Sequence, residues 1–195
     1  MSIFNPIPTW LHIEDGRAVV SLSVPLDVYG ETRQALTMRS PTVSEDLMVG
    51  LQVGDNDEQR ELLMLGSLCE LTEDQLTALQ VRDYRRLQRA YKELLGDDSG
   101  ENPAWLKLTL EHAVVRLAAP IMREGVKVDR LTLQSPSIRL SREVEAEAGD
   151  DNSKLETLLF QRLTETTPAE LHSLTIRDYN RVRAAYFRLV HQDGV

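Results

Sequence analysis

The sequence predicts an α+β protein made of two tandem copies of one module, each a small antiparallel β-meander followed by three to four helices. Three observations predict it. The chain repeats itself, without a gap, at an offset of about 95 residues. Each copy opens on strand-type segments, with a glycine at the second reversal, Gly30 and Gly125. Each copy then closes on segments with helical caps, helical stops and apolar residues at helical spacing. Strands first and helices after is the order of an α+β fold.

The repeat is read directly from the residues. Pro8-Thr9-Trp10-Leu11 pairs with Pro103-Ala104-Trp105-Leu106, and Val19-Val20-Ser21-Leu22 with Val114-Val115-Arg116-Leu117. Leu36-Thr37-Met38-Arg39-Ser40-Pro41 pairs with Leu131-Thr132-Leu133-Gln134-Ser135-Pro136. Arg82-Asp83-Tyr84-Arg85-Arg86 pairs with Arg177-Asp178-Tyr179-Asn180-Arg181. About 30 of roughly 88 paired positions are identical. A fixed register over that length is the mark of a duplicated unit. The copies span residues 8–95 and 103–190, and residues 96–102, rich in Gly, Ser and acid, read as a flexible surface connector.

Within a copy, Trp10 to Ile13 is a short apolar strand and Asp15-Gly16 a hairpin turn. Ala18 to Leu26 is rich in β-branched residues, Tyr29-Gly30-Glu31 permits a second reversal, and Gln34 to Arg39 alternates apolar with polar. The second meander falls between Trp105 and Gln134. Ser40 and Ser135 are expected to cap the first helix, with Pro41 and Pro136 at its first position. Gly54 and Gly149 stop it. A second helix is expected over Glu58 to Cys69 and Ser153 to Thr164. Thr72 and Thr167 open a short third helix with capping-box spacing. The last helix runs from about Val81 to Leu95, with Tyr84, Leu87, Tyr91 and Leu94 as its apolar stripe. Tyr179, Val182, Tyr186 and Leu189 are the twin stripe. One module alone has a thin core, so the two copies are expected to pack through apolar faces.

Composition narrows the function. A net charge of -9 argues against nonspecific attraction to nucleic acid or anionic membranes. The acidity is uneven, with nine basic against fifteen acidic side chains in residues 8–95 and thirteen against twelve in 103–190. A single cysteine, Cys69, forbids an intrachain disulfide and fits a reducing cytoplasm. Met1 to Thr9 lacks a basic region followed by an apolar run, so no signal peptide is expected, and no apolar run reaches membrane length. The four histidines, His12, His112, His172 and His191, lack metal-ligand spacing, so neither metal nor cofactor is expected. No phosphate loop or nucleophile elbow occurs, which argues against an enzyme. Arg82-Asp83-Tyr84-Arg85-Arg86 is the sharpest shared polar feature; Asp83 reads as a first-turn acid in a solvated pair with Arg86.

A strand ending in Leu-Thr-Met-Arg-Ser-Pro-Thr (Leu36–Thr42), then helices, then Leu76-x-x-Leu79-x-Val81-Arg82-Asp83-Tyr84, resembles the tail assembly chaperones of long-tailed phages, over nearly the whole of each copy. Members of that family are commonly a single module. The resemblance implies a noncatalytic protein of the host cytoplasm. It would bind the helical, aggregation-prone tape-measure protein, with the tail tube protein as a further partner, and be absent from the finished particle. A minor structural role in the tail is the alternative. The terminal helices are the expected contact surface, through Arg82, Tyr84, Arg86 and Tyr91 and their twins Arg177, Tyr179, Arg181 and Tyr186.

Overall fold

In the computed structural model, which describes residues 7–96, 98, 100 and 103–191, three strands and four helices occur twice in the same order. The first set is β1 (Leu11–Glu14), β2 (Arg17–Val28), β3 (Glu31–Arg39), α1 (Val43–Val53), α2 (Asp57–Cys69), α3 (Glu73–Thr77) and α4 (Val81–Leu95). The second is β4 (Leu106–Leu108), β5 (His112–Arg123), β6 (Val126–Gln134), α5 (Ile138–Ala148), α6 (Asn152–Thr164), α7 (Pro168–Ser173) and α8 (Ile176–His191). The chain divides into two compact units at Asp97 and Asp98.

Each sheet is an antiparallel meander, ordered β1-β2-β3 or β4-β5-β6. The turn residues explain the connections. Asp15 and Gly16 both have positive φ, as do Tyr29 and Gly30, which gives the mirror-image turn that suits the strands' twist. Asp27 reinforces the second turn by accepting the Gly30 N–H at 3.0 Å. The central strand does not pair evenly. Its register with β3 shifts between Ser21 and Leu26, and that of β5 with β6 shifts between Arg116 and Ile121. Pro25 and Pro120 lie inside these shifts, where a missing N–H costs no ladder bond.

The first helix of each module starts two residues later than the Ser-Pro pair suggests. Thr42 and Ser137, not Ser40 and Ser135, are the N-caps; their side chains accept from the backbone N–H of Glu45 and Leu140. Glu45 returns a bond to the Thr42 N–H and completes a capping box. Ser40 is used elsewhere: its N–H and its hydroxyl both donate to the Gly16 carbonyl, pinning the end of β3 to the first turn. The other expected signals hold their places. Gly54 and Gly149 end the first helices with positive φ, and Thr72 and Thr167 form capping boxes.

Each module has its own core. In the first, Val20, Leu36 and Met38 of the sheet meet Leu65 and Leu68 of α2 and Leu87 of α4, all almost fully buried. In the second, Val115, Leu131 and Leu133 meet Phe160, Leu163 and Val182. Cys69 belongs to the first core, and its twin Thr164 satisfies its buried hydroxyl on the Phe160 carbonyl at 2.6 Å. Burial pushes the Cys69 thiol up to about 12, only partly offset by the Arg39 charge. The native thiol should therefore resist an aromatic disulfide reagent at pH 8 and react stoichiometrically only once urea has unfolded the first module. Fast labelling of the native chain would show that the site opens.

Candidate functional site

The Arg-Asp-Tyr sequence that opens each terminal helix is first a clasp. The register shift in β2 turns the N–H groups of Ser23 and Val24 away from the ladder. Asp83, fully buried in the first turn of α4, collects them: Ser23 N–H donates to Oδ1 at 2.9 Å and Val24 N–H to Oδ2 at 3.4 Å. The Ser23 hydroxyl adds a bond to Oδ2 at 2.7 Å. Burial raises the Asp83 pKa, but these donors and the Arg86 charge outweigh it and hold the carboxyl below its ordinary range. The second copy solves the same problem with different residues. Ala118 and Ala119 give their N–H groups to Asp178 at 2.6 and 3.1 Å. The lost serine hydroxyl is replaced by Thr175, which stands where the first copy has Gln80 and donates at 2.8 Å. The expected solvated pair is thus a buried anchor between strand and helix.

Arg86 is held in three ways. Its Nη1 donates to the Ser21 carbonyl at 2.7 Å and to Asp83 at 3.1 Å, and its guanidinium lies over the Trp10 ring, 5.3 Å from the centroid. Arg181 repeats this with the Arg116 carbonyl, Asp178 and Trp105. The repeated tryptophan is therefore a platform for a guanidinium. Arg82 is exposed.

In the second module the arginine pair grips a carboxylate. Arg177 reaches both Asp98 oxygens at 2.8 Å, through Nε and Nη2. Arg181 reaches the same two oxygens at 2.7 and 3.2 Å. Two planar forks on one carboxylate form a strong charge-assisted arrangement. Burial opposes the charge on Asp98, but the two arginines lower its pKa to about 2. Asp98 falls in the expected connector, and its side chain is docked rather than free.

The tyrosines divide by position. Tyr84 and Tyr179 are half-buried and donate to Glu61 at 2.6 Å and Glu156 at 2.9 Å, so their hydroxyls are spent on α2 and α6. Burial and the adjacent carboxylate push both phenols upward. Tyr91 packs on the first core and, with Asp57, Arg60, Glu61, Met64 and Leu65, lines a pocket of about 140 Å³. Tyr186 makes an edge contact with Phe160, ring centroids 5.8 Å apart.

A second surface escaped the sequence reading. Helix α1 buries none of its residues, although it carries Leu47, Met48 and Leu51 at 47, 65 and 85% exposure. These three share one helical face. In α5 the paired residues are Arg142, Glu143 and Ala146, while Val144 and Ala148 are buried. An exchange of apolar for charged residues within an otherwise matching pattern was the signal available.

No group of three His, Cys, Asp or Glu side chains among the described residues could hold a metal. No described helix is long and apolar enough to cross a membrane. The arrangement offers clasps, an arginine fork and an apolar helix face. Residues 19–96 and 114–191 each match a family described as phage tail assembly chaperone proteins, E, or 41 or 14. The chain belongs to that family. The match recurs over both halves, so the duplicated unit is a tail assembly chaperone module, and its role is noncatalytic. No curated protein and no solved structure matches this chaperone.

Proposed function

We propose that this chaperone binds the tape-measure protein in the host cytoplasm and keeps it soluble until the tail tube assembles. The observation that carries the reading is the uncovered apolar face of α1. Fully covering one such side chain is worth about 1.5–3 kcal/mol, so a face of three gives a client helix a substantial foothold. An amphipathic helix laid against it is the expected mode. Asp55 in the turn after α1, and Asp57 and Glu58 in the first turn of α2, favour a client helix with basic residues beside its apolar stripe.

Co-expression with the tape-measure protein tests this. The chaperone should co-purify with that client and raise its soluble fraction. Replacing Leu47, Met48 and Leu51 by Arg, Glu and Ala, the residues the second copy uses, should abolish most of the gain while the fold survives. A wild-type chain that neither binds nor solubilises the client would refute the function. A triple variant as active as wild type would refute the surface.

A further inference from the structure

The second module shows what its arginine pair binds, and the first module contains the same receiver. Arg86 matches Arg181 in each supporting contact: a backbone carbonyl of the central strand, the buried aspartate one turn before it and a tryptophan face. In Arg181 these contacts use Nη1 and leave Nε and Nη2 for Asp98. In Arg86 they also use Nη1, and among the described residues no carboxylate bonds to Nε or Nη2. Arg82 stands where Arg177 stands, yet it is exposed and pairs with no described carboxylate. The position that matches Asp98 is Ile3, and residues 1–13 include no acidic side chain. Helix α4 carries five basic residues against two acidic ones, inside a module that is otherwise acidic.

We propose that Arg82 and Arg86, the latter over Trp10, form a carboxylate-binding site for an aspartate in an acidic, irregular segment of a client protein. The second module's site is of the same kind and is latched by the chain's own Asp98. The chemistry of the ligand follows from the repeat geometry: Arg86 is already oriented by its three contacts, and with Arg82 one turn away it offers two guanidinium forks that can donate to the two oxygens of one carboxylate. A segment outside helix and strand is specified because Asp98 reaches Arg177 and Arg181 from such a position. Which protein supplies the aspartate rests on the chaperone reading above; the binding itself does not.

The test uses the full chain and a capped peptide of its own connector sequence, Gly-Asp-Asp-Ser-Gly-Glu-Asn, followed by NMR at low salt. In wild type the peptide should shift the Arg86 side-chain and Trp10 indole signals and leave those of Arg181 and Trp105 unmoved. Asp98→Asn should make the second pair respond too. Arg82→Gln, at an exposed position that leaves the fold intact, should weaken first-module binding about five-fold. A peptide with Asn and Gln in place of its acids should shift neither module. The proposal is overturned if the first module stays silent at saturating peptide, whether or not the Asp98→Asn second module responds. It is equally overturned if the uncharged peptide binds as well, or if Arg82→Gln binds like wild type. Because the probe is the peptide alone, these outcomes are independent of whether the tape-measure protein is the client.

Discussion

Replacing Asp83 with alanine should destabilise the first module by about 3–5 kcal/mol, a large part of the stability of a domain this size. The carboxylate is fully buried and serves Ser23, Val24 and Arg86 together. Its removal strands two N–H groups at the register shift and leaves Arg86 without its buried counter-charge. Asp83→Asn should cost less, since an amide oxygen still accepts one of the bonds. Peptide-resolved amide exchange on the full chain checks this. Residues 8–95 should exchange far faster in Asp83→Ala, with residues 103–190 unchanged, and Asp178→Ala should show the reverse. Uniform loss of protection across both halves would contradict the placement of each clasp within its own module. The pH dependence has a definite sign. The folded pKa of Asp83 is lowered, so its stabilisation is present above about pH 4, the unfolded carboxylate's pKa, and is lost as pH falls through the lower folded value. Acid should therefore loosen the first module of the wild type in that window, and the Asn variant should have lost this component of the pH dependence.

Phe160→Ala should cost the second module a further about 3–5 kcal/mol, measured the same way or by urea unfolding. Phe160 is 1% exposed and makes edge contacts with Tyr179 and Tyr186, centroids 5.6 and 5.8 Å away. The first copy fills the same place with Leu65, also 1% exposed. Phe160→Leu should therefore be tolerated, at about 1 kcal/mol, since it substitutes the residue with which the first copy fills its core. The reciprocal Leu65→Phe should be the worse exchange, because overpacking forces neighbours off their rotamers. An alanine variant as stable as the leucine one would remove the packing argument.

What the sequence made legible was local. Positive-φ turns at Asp15-Gly16 and Tyr29-Gly30, glycine stops and the Thr72 and Thr167 caps each depend on a few adjacent residues, and those carry strong preferences. The Ser40 cap was misplaced because Ser40 and Thr42 satisfy the same preference; only the geometry decides which hydroxyl faces the third helical N–H and which faces Gly16. The clasp was not legible, because Asp83 meets Ser23 and Val24 sixty residues away, at a strand irregularity with no sequence mark beyond Pro25. For the same reason Arg177 and Arg181 gave no sign that Asp98 would be their partner. The apolar residues of α1 carried no mark of their own in the sequence, since composition does not tell a buried face from an uncovered one. Only their charged counterparts Arg142 and Glu143 separated the two.

The sixty-residue span of the clasp also sets an order in time. A module cannot close until its terminal helix has been synthesised and has left the ribosome, because the carboxylate that seals the central strand arrives last. At the usual ~5–20 residues per second, the second copy then takes roughly 5–20 s more to be made. For much of that interval the nascent chain already carries one closed module, with α1 and Arg82 in place. Duplication therefore gives the growing polypeptide one closed module before it has been released.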